Sequence, residues 1–346
     1  MDKKNYCDAI GFIVTYKPLD ESLLFNEMRS RLSDIELKSR GESSAAFYVN
    51  DYSTVVEEIH KEDFIFLRHI HPFMNKIDID GKLSDFDIYL AVLEKLLPML
   101  ASTEMIVCQC RIDSSISMEY TNKELTALLA SFLQNRGYII APQDAMISVS
   151  LTVYGSSAYM GISFLMDNVS DWTGGILFYS KSNDIICRAE FKIEEACNVF
   201  NVQISNGMRA LDLGAAPGGW THYLSQKGVF IDAVDPANLS ADVLKLKNVK
   251  HHKMTAQEFA AIASFSQYDI MVNDMKMDTN QSVDITCEMS NRLRKGGICL
   301  MTLKLPKSGV MKHIHIAQKV LGRKFETVRI RKLYYNRSEV TVYAIK

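Results

Sequence analysis

A strand that runs directly into a glycine-rich turn is the feature that most constrains this chain. Residues 210–220 read ALDLGAAPGGW, which is an apolar strand, a turn with three glycines and the start of a helix. The spacing is D-x-G-x-x-P-G-G, whereas a nicotinamide-binding loop spaces its glycines as G-x-G-x-x-G. Gly214, Gly218 and Gly219 lack the Cβ atoms that would crowd a ligand, and Asp212 can hold an ammonium group. The pattern therefore predicts a binding loop for S-adenosylmethionine, completed by Pro217 and Trp220.

The residues that follow the loop predict a doubly wound α/β sheet of the Rossmann-like kind. A second apolar strand ends in Asp235, which lies 21 residues after Gly214, where such folds place a carboxylate on ribose hydroxyls. The same acid would serve NAD, so Asp235 alone does not specify the cofactor. Two further predicted strands end in Asp274 and Lys304. Ligands of open α/β sheets lie outside the carboxyl ends of the strands, so these side chains are expected at one site.

Length and composition indicate a multidomain globular protein. The chain has 346 residues, of which 47% are hydrophobic and 23% charged, and this length suggests two or three domains. It contains no apolar run of about 18 residues, and its first residues lack a signal-peptide core, so we expect a cytoplasmic protein. A turn-rich stretch at 166–175 predicts the boundary of the cofactor domain, which gives domains at 1–84, 85–167 and 168–346.

The first two predicted domains mix short strands with helices. Thr121 and Glu124 have capping-box spacing at the start of a helix that stops at Gly137. The other predicted elements are strands at 9–14, 45–49, 63–68, 105–111, 145–151 and 158–164 and a helix at 85–101.

Cysteines and histidines give no sign of a metal site. The seven cysteines are scattered, and Cys108 and Cys110 have no second pair that would complete a zinc site. His69 and His71 alternate along a strand without a third ligand. We expect buried free thiols, surface or hydrogen-bonded core histidines, and no bound metal.

Charge is unevenly distributed along the chain. The net charge is −2, but residues 304–346 contain 11 Lys and Arg against two Glu, a balance of +9. A basic surface beside the predicted site suits a phosphate-rich partner, although a solvated face is the more common reason for such a run. If the basic residues contact RNA, Arg329 and Lys332 are expected to be exposed.

Four separate segments resemble those of FtsJ-type ribose 2′-O-methyltransferases. Residues 187–196, CRAEFKIEEA, are similar to the S-R-A-x-x-K-L-x-E segment of that family. The family uses a Lys-Asp-Lys-Glu tetrad, and the matching segments place it at Lys192, Asp274, Lys304 and Glu339. The upstream arrangement resembles the branch of the family that carries ferredoxin-like and THUMP-like domains and methylates a cytidine of large-subunit (23S) ribosomal RNA. The resemblance therefore implies transfer of a methyl group to an RNA ribose, with the THUMP-like domain at 85–167 binding RNA.

The chain departs from the family pattern at two positions. The family usually carries serine where Cys187 stands, and an acid that meets the adenine amino group near residue 257. Gln257 is expected to accept that hydrogen bond through its amide oxygen.

The resemblance also implies a role for each member of the tetrad. Lys304 is the expected general base or alkoxide stabiliser, while Lys192, Asp274 and Glu339 position it and tune its pKa. Two alternatives stay open at this point: methylation of another structured RNA, such as a tRNA or capped mRNA, and a non-catalytic protein that binds cofactor and RNA. The intact tetrad argues against the second alternative.

Overall fold

The computed structural model describes residues 8–113, 117–177, 185–262 and 267–346. The chain divides into two compact units, residues 1–177 and residues 178–346. This division falls ten residues after the predicted start of the cofactor domain. The further division of the first unit at residue 84 stays a prediction.

A four-stranded antiparallel sheet begins the first unit. Its strand order is β2-β3-β1-β4, with β1 at the centre and buried along its whole length. Phe12 of β1 stacks on Phe47 of β3 at 5.5 Å between ring centroids. The elements are β1 Gly11–Thr15, α1 Glu21–Arg31, β2 Glu36–Arg40, β3 Ser44–Tyr48, α2 Tyr52–Lys61 and β4 His69–Phe73.

A five-stranded mixed sheet completes the first unit, with the order β5-β9-β8-β6-β7. The strand β5 lies before residue 84 in the chain but pairs with β9. The predicted capping box is confirmed, because Thr121 and Glu124 bond each other's backbone N–H at the start of α4. The elements are β5 Asn75–Asp78, α3 Asp85–Leu96, β6 Met105–Ile112, α4 Asn122–Gln134, β7 Ile139–Ile140, β8 Ile147–Tyr154 and β9 Ser157–Phe164.

One strand prediction in this unit is wrong. The apolar run at 63–68 is an irregular buried segment, and the strand β4 follows it. The backbone N–H groups of Ile65 and Phe66 donate to the carboxylate of Glu27, at 2.8 and 3.3 Å. A distant side chain therefore satisfies the donors that a neighbouring strand would otherwise take.

The two histidines of β4 are core residues with hydrogen-bond partners. His71 Nε2 lies 2.8 Å from Thr152 Oγ1, and His69 Nδ1 lies 3.0 Å from the carbonyl oxygen of Ser170. Burial lowers the pKa of His69 to about 3 and that of His71 to about 4. Both rings are therefore neutral at physiological pH, as expected for core histidines.

The second unit is built on a seven-stranded sheet with the order β12-β11-β10-β13-β14-β16-β15. The first five strands in this order run parallel, and β16 and β15 add an antiparallel edge. This sheet confirms the Rossmann-like prediction. The strands are β10 Arg209–Leu213, β11 Phe230–Val234, β12 Val249–His252, β13 Tyr268–Asn273, β14 Leu293–Lys304, β15 Thr327–Arg331 and β16 Glu339–Ile345.

The described part of the second unit contains six α-helices. Of these, α5 and α6 contribute to a core that includes Ile193, Trp220 and Leu224. The helices are α5 Ala189–Val199, α6 Gly219–Gln226, α7 Ala241–Leu244, α8 Ala256–Ala261, α9 Thr279–Met289 and α10 Val310–Leu321. Within the described ranges, no helix combines the length and the hydropathy that crossing a membrane requires.

Candidate active site

The predicted site residues meet at the carboxyl edge of the parallel strands. Gly214 follows β10, Asp235 follows β11, Asp274 follows β13, and Lys304 is the last residue of β14. Since these four strands are neighbours and run in the same direction, their ends lie along one edge of the sheet. This edge is where open α/β sheets bind their ligands.

The four tetrad residues form one cluster of ion pairs. Lys192 Nζ lies 3.2 Å from Asp274 Oδ2 and 2.9 Å from Glu339 Oε1. Lys304 Nζ lies 3.2 Å from Asp274 Oδ1 and 3.6 Å from Glu339 Oε2. Each lysine therefore contacts both carboxylates, and two positive charges are balanced by two negative ones. Residues that are up to 147 positions apart in the chain are thus brought together.

Two features of the fold hold the cluster in place. Lys304 and Glu339 are directly opposite each other in the antiparallel pair of β14 and β16. Lys192 comes from α5, and Glu195 on the same helix accepts hydrogen bonds from the backbone N–H groups of Tyr334 and Tyr335, at 2.7 and 2.9 Å. This contact fixes α5 against the segment that leads into β16.

Two threonines that the sequence did not suggest support the cluster. Thr302 Oγ1 donates to Asp274 Oδ1 at 2.7 Å, and Lys304 Nζ donates to Thr302 Oγ1 at 3.2 Å. Thr279 Oγ1 donates to the carbonyl oxygen of Lys304. The sequence feature that could have indicated Thr302 is its position two residues before Lys304, which places both side chains on one face of β14.

The charges of the cluster shift two pKa values in opposite directions. Burial opposes the charged form of Lys192, but Asp274 and Glu339 outweigh it and raise the Lys192 pKa. Burial likewise opposes the charged form of Glu339, but the hydrogen bond and charge of Lys192, with the charge of Lys304, lower the Glu339 pKa. Lys192 therefore stays an ammonium group and Glu339 a carboxylate at neutral pH.

The glycines of the loop are required by neighbouring protein groups. Gly214 has φ +77°, and a Cβ there would lie 2.5 Å from Met275 Cγ. Gly218 has φ +116°, and a Cβ there would lie 2.8 Å from Val243 Cγ2. At Gly219 a Cβ would lie 2.5 Å from Cys187 Sγ. Packing against neighbouring protein groups is therefore a reason for all three glycines, and the expectation that they leave room for a ligand stays a prediction.

Asp212 and Trp220 are buried next to the loop. The Asp212 carboxyl is 1% exposed and accepts a hydrogen bond from Thr221 Oγ1 at 2.6 Å. Burial raises the pKa of Asp212 to about 7. The Trp220 side chain packs in the core, whereas Pro217 is exposed before the start of α6. Of the six described cysteines, all free, only Cys187 beside this loop is half-buried; the others are buried, as predicted.

Asp235 and Gln257 follow neighbouring strands of the same sheet. The two carboxylate oxygens of Asp235 accept hydrogen bonds from the N–H groups of Ala216 and Ala237, at 3.0 and 2.8 Å. Asp235 therefore ties the glycine loop to the end of β11. Gln257 is exposed on the first turn of α8. Its neighbour Glu258 caps that helix through Thr255.

The basic segment at 304–346 differs in part from expectation. Lys332 is only 3% exposed, and its Nζ donates to the carbonyl oxygen of Arg337 at 2.6 Å. Arg329 is half-buried, with its guanidinium 5.4 Å from the centroid of the Phe200 ring. The expectation that Arg329 and Lys332 are exposed is therefore wrong, because Phe200 lies beside the guanidinium of Arg329 and the backbone at Arg337 accepts from the buried ammonium group of Lys332. The exposed cations of the segment are Lys307, Lys312, Lys319, Arg323, Lys324 and Arg337.

Comparison with known proteins matches residues 185–342 to the FtsJ-like methyltransferase family. Ribosomal RNA large subunit methyltransferase M of Pseudoalteromonas translucida is 27% identical over 236 residues, 64% of each chain. The protein of the same name from Saccharophagus degradans is 28% identical over 308 residues, 85% of each chain. The one from Psychromonas ingrahamii is 23% identical and covers 96% of each chain.

Proposed function

We propose that this chain, whose residues 185–342 match the FtsJ-like methyltransferase family, is an S-adenosylmethionine-dependent RNA ribose 2′-O-methyltransferase. Its proposed substrate is a cytidine of 23S ribosomal RNA. The observation that carries the proposal is the cluster of Lys192, Asp274, Lys304 and Glu339 at the carboxyl edge of the sheet.

The groups around the glycine loop fit the proposed cofactor. The first turn of α6 has no side-chain cap, so its backbone N–H groups suit the carboxylate of the methionine moiety. Asp235 is half-buried at the end of β11, and its oxygens have further lone pairs for ribose hydroxyls. Asp274 and Asp212 are the acids proposed for the ammonium group, and Gln257 is proposed for the adenine amino group. S-adenosylmethionine, when bound, supplies an activated methyl group on a positively charged sulfur.

The proposed task of the cluster is to orient a ribose hydroxyl and ease the loss of its proton. A hydroxyl is a poor nucleophile at neutral pH, so its position and its proton both need control. Lys192 is held as an ammonium group by two carboxylates and cannot accept a proton. The Lys304 side chain is 29% exposed, against 16% for Lys192. Lys304 is therefore the lysine that a hydroxyl can reach, either as a base or as a stabiliser of the developing alkoxide.

The proposed RNA substrate rests on charge and on the names of the relatives. Exposed cations flank the cluster in sequence on several loops: Arg188 before Lys192, Lys276 after Asp274, Lys307 after Lys304 and Arg337 before Glu339. Such cations suit a polyanion. The relatives named above are ribosomal RNA large subunit methyltransferases. We also propose that residues 85–167 form a THUMP-like domain that presents the RNA.

A map of ribose methylation tests the function in cells. Total RNA from cells with and without this protein is compared at nucleotide resolution. The proposal expects one cytidine of 23S ribosomal RNA to lose its 2′-O-methyl group and to regain it when the wild-type protein is returned. A protein with Lys304→Ala should not restore it. Loss of methylation only in tRNA or mRNA would contradict the proposed substrate.

A further inference from the structure

The first unit contains a basic cleft that is separate from the cluster described above. It has a volume of about 880 Å³ and is bordered by β2, β5 and the β8–β9 hairpin. Its lining includes the cations Lys38, Arg40 and Lys76 and, among the residues that the structure describes, no carboxylate. All three cations precede the predicted RNA-binding domain at 85–167, whereas the hairpin residues of the lining belong to it.

The backbone brings the three cations to one place. The register of β2 pairs Leu37 with Phe47 and Ser39 with Ala46, which leaves Lys38 as an extra residue in a β-bulge. A bulge changes the direction of a side chain and increases the local twist, and here Lys38 and Arg40 both line the cleft. Lys76 enters from β5, where it is paired with Tyr159 of β9.

The acidic partners of these cations lie outside the cleft lining. Lys38 pairs with Glu36 at 2.5 Å, Arg40 with Glu21 at 3.5 Å, and Lys76 with Asp78 at 4.0 Å. The three cationic side chains are 43%, 65% and 41% exposed. Exposed ion pairs of this kind contribute little to stability. The cations can therefore exchange these partners for a phosphate at small cost.

The floor of the cleft is already formed. Ser39 Oγ lies 2.6 Å from Tyr159 Oη and 3.2 Å from Tyr154 Oη, and the two tyrosine rings stack at 5.0 Å. The turn after Arg40 is fixed by buried Asp113, which accepts from the N–H of Glu42 at 2.9 Å. A site built in this way does not have to order its backbone when it binds.

A partly exposed aromatic ring stands beside the cations. Tyr48 lines the cleft, and Lys38 Nζ lies 5.5 Å from the centroid of its ring. Grooves that bind single-stranded nucleic acids combine positive charge along the backbone with aromatic rings beside the bases. Seryl hydroxyls of Ser156 and Ser157 at the hairpin add donors and acceptors for ribose groups.

We propose that this cleft binds the phosphodiester backbone of a single-stranded RNA segment. Lys38, Arg40 and Lys76 contact phosphates, and Tyr48 lies beside a base. The cleft is within the size range of small-ligand sites, so it holds only part of one strand. The choice of RNA as ligand rests on the proposed function, whereas the location and the chemistry rest on the cleft itself.

The test is the salt dependence of RNA binding by the full chain. A fluorescent single-stranded RNA of mixed sequence is titrated with wild-type protein and with the triple variant Lys38→Gln, Arg40→Gln, Lys76→Gln. Each phosphate contact on a single strand contributes about 0.7 to the slope of log K against log salt concentration. The variant should therefore bind at least about tenfold more weakly at low salt, with a slope smaller by about 2.

A matched control separates the cleft from net charge. Arg29, Lys61 and Lys82 are exposed in the same unit and lie outside both the cleft lining and the proposed RNA-binding domain at 85–167. Their triple change to Gln removes the same charge and should leave the slope nearly unchanged. Equal losses in both triple variants, or no loss in the cleft variant, would overturn the proposal. Circular dichroism and the melting temperature establish that both variants are folded.

Methyl transfer to 23S ribosomal RNA distinguishes failure of this proposal from failure of the proposed function. The cleft variant should raise KM for RNA while kcat and the Kd for S-adenosylmethionine stay near wild type. If wild-type protein methylates RNA and the cleft variant keeps its KM and its salt slope, the cleft proposal fails alone. If wild-type protein methylates no RNA but the cleft variant still loses RNA affinity and slope, the proposed function fails alone.

Discussion

The Nζ atom of Lys192 lies 2.9 Å from Glu339 Oε1, and the Glu339 side chain is only 7% exposed. Lys192 is on a helix at the start of the second unit, and Glu339 begins its last strand in the chain. The pair therefore connects the first described helix of this unit to its last strand.

The first prediction concerns the stability that this pair contributes. Removing one partner of a buried pair leaves the other charge uncompensated, so Glu339→Ala should lower the free energy of unfolding by about 3 kcal/mol. The Glu339 pKa is lowered in the folded state, so its contribution is present above the unfolded value, near 4.5, and is lost as the pH falls through the folded value. Urea unfolding at pH 7 and pH 4 should show a larger difference between wild type and variant at pH 7. An equal difference at both pH values would contradict this.

Asp212 should show the opposite pH dependence. Burial raises its folded pKa to about 7, above the value of 3.8 for an unperturbed aspartate, so the folded state without cofactor loses stability as the pH rises from about 4 to about 7. Asp212→Asn removes that ionisation and should stabilise the cofactor-free protein by about 4 kcal/mol at pH 8, with little gain at pH 4. Chemical denaturation at both pH values measures the gain.

The same variant tests whether Asp212 contacts the cofactor. If the carboxylate holds the ammonium group, Asp212→Asn should weaken S-adenosylmethionine binding by roughly tenfold or more in calorimetry, although the cofactor-free protein is more stable. Unchanged affinity would limit Asp212 to a structural role beside Thr221.

Asp235 is predicted to act on cofactor affinity. It anchors the N–H of Ala216 in the glycine loop and has acceptor capacity left for a ribose. Asp235→Ala should raise the Kd for S-adenosylmethionine between about tenfold and a hundredfold. Asp242→Ala is the matched control, because Asp242 is an exposed acid with only a surface ion pair to Lys245. If both variants have the wild-type Kd, Asp235 is not a cofactor ligand.

Gly219 and Cys187 should be coupled. A Cβ at Gly219 would lie 2.5 Å from Cys187 Sγ, so Gly219→Ala should destabilise the protein by about 1–3 kcal/mol through overpacking. Because φ at this residue is not positive, the clash is the main cost. The double variant with Cys187→Ala should recover at least half of the loss. Additive losses in the double-mutant cycle would show that the two positions are independent.

The sequence predicted the strands β10, β11, β13 and β14 of the second unit because their signals are local, whereas the roles of the site residues stay predictions. An apolar segment followed by glycines or by an acid predicts a strand. It also predicts that the residue after the strand lies at the carboxyl edge of the sheet. The missed features depend on distant groups. Ile65 and Phe66 lie in an apolar run that predicts a strand, but their N–H groups donate to Glu27, which is distant in sequence. Lys332 was expected to be exposed, but it is buried and donates to the carbonyl oxygen of Arg337. The hydrogen bond from Thr302 to Asp274 could not be predicted, because it depends on the three-dimensional position of Asp274.

The most direct measurement of the central claim is transfer of a labelled methyl group from S-adenosylmethionine to unmodified 23S ribosomal RNA. Nuclease digestion then shows whether the label is on ribose or on a base. Wild-type protein should place it on the ribose of one cytidine. Lys304→Ala should reduce the rate by roughly 10²–10⁴ with nearly unchanged cofactor affinity, and Lys192→Ala and Glu339→Ala should reduce it less. Label on a base, or full activity in Lys304→Ala, would contradict the ribose mechanism.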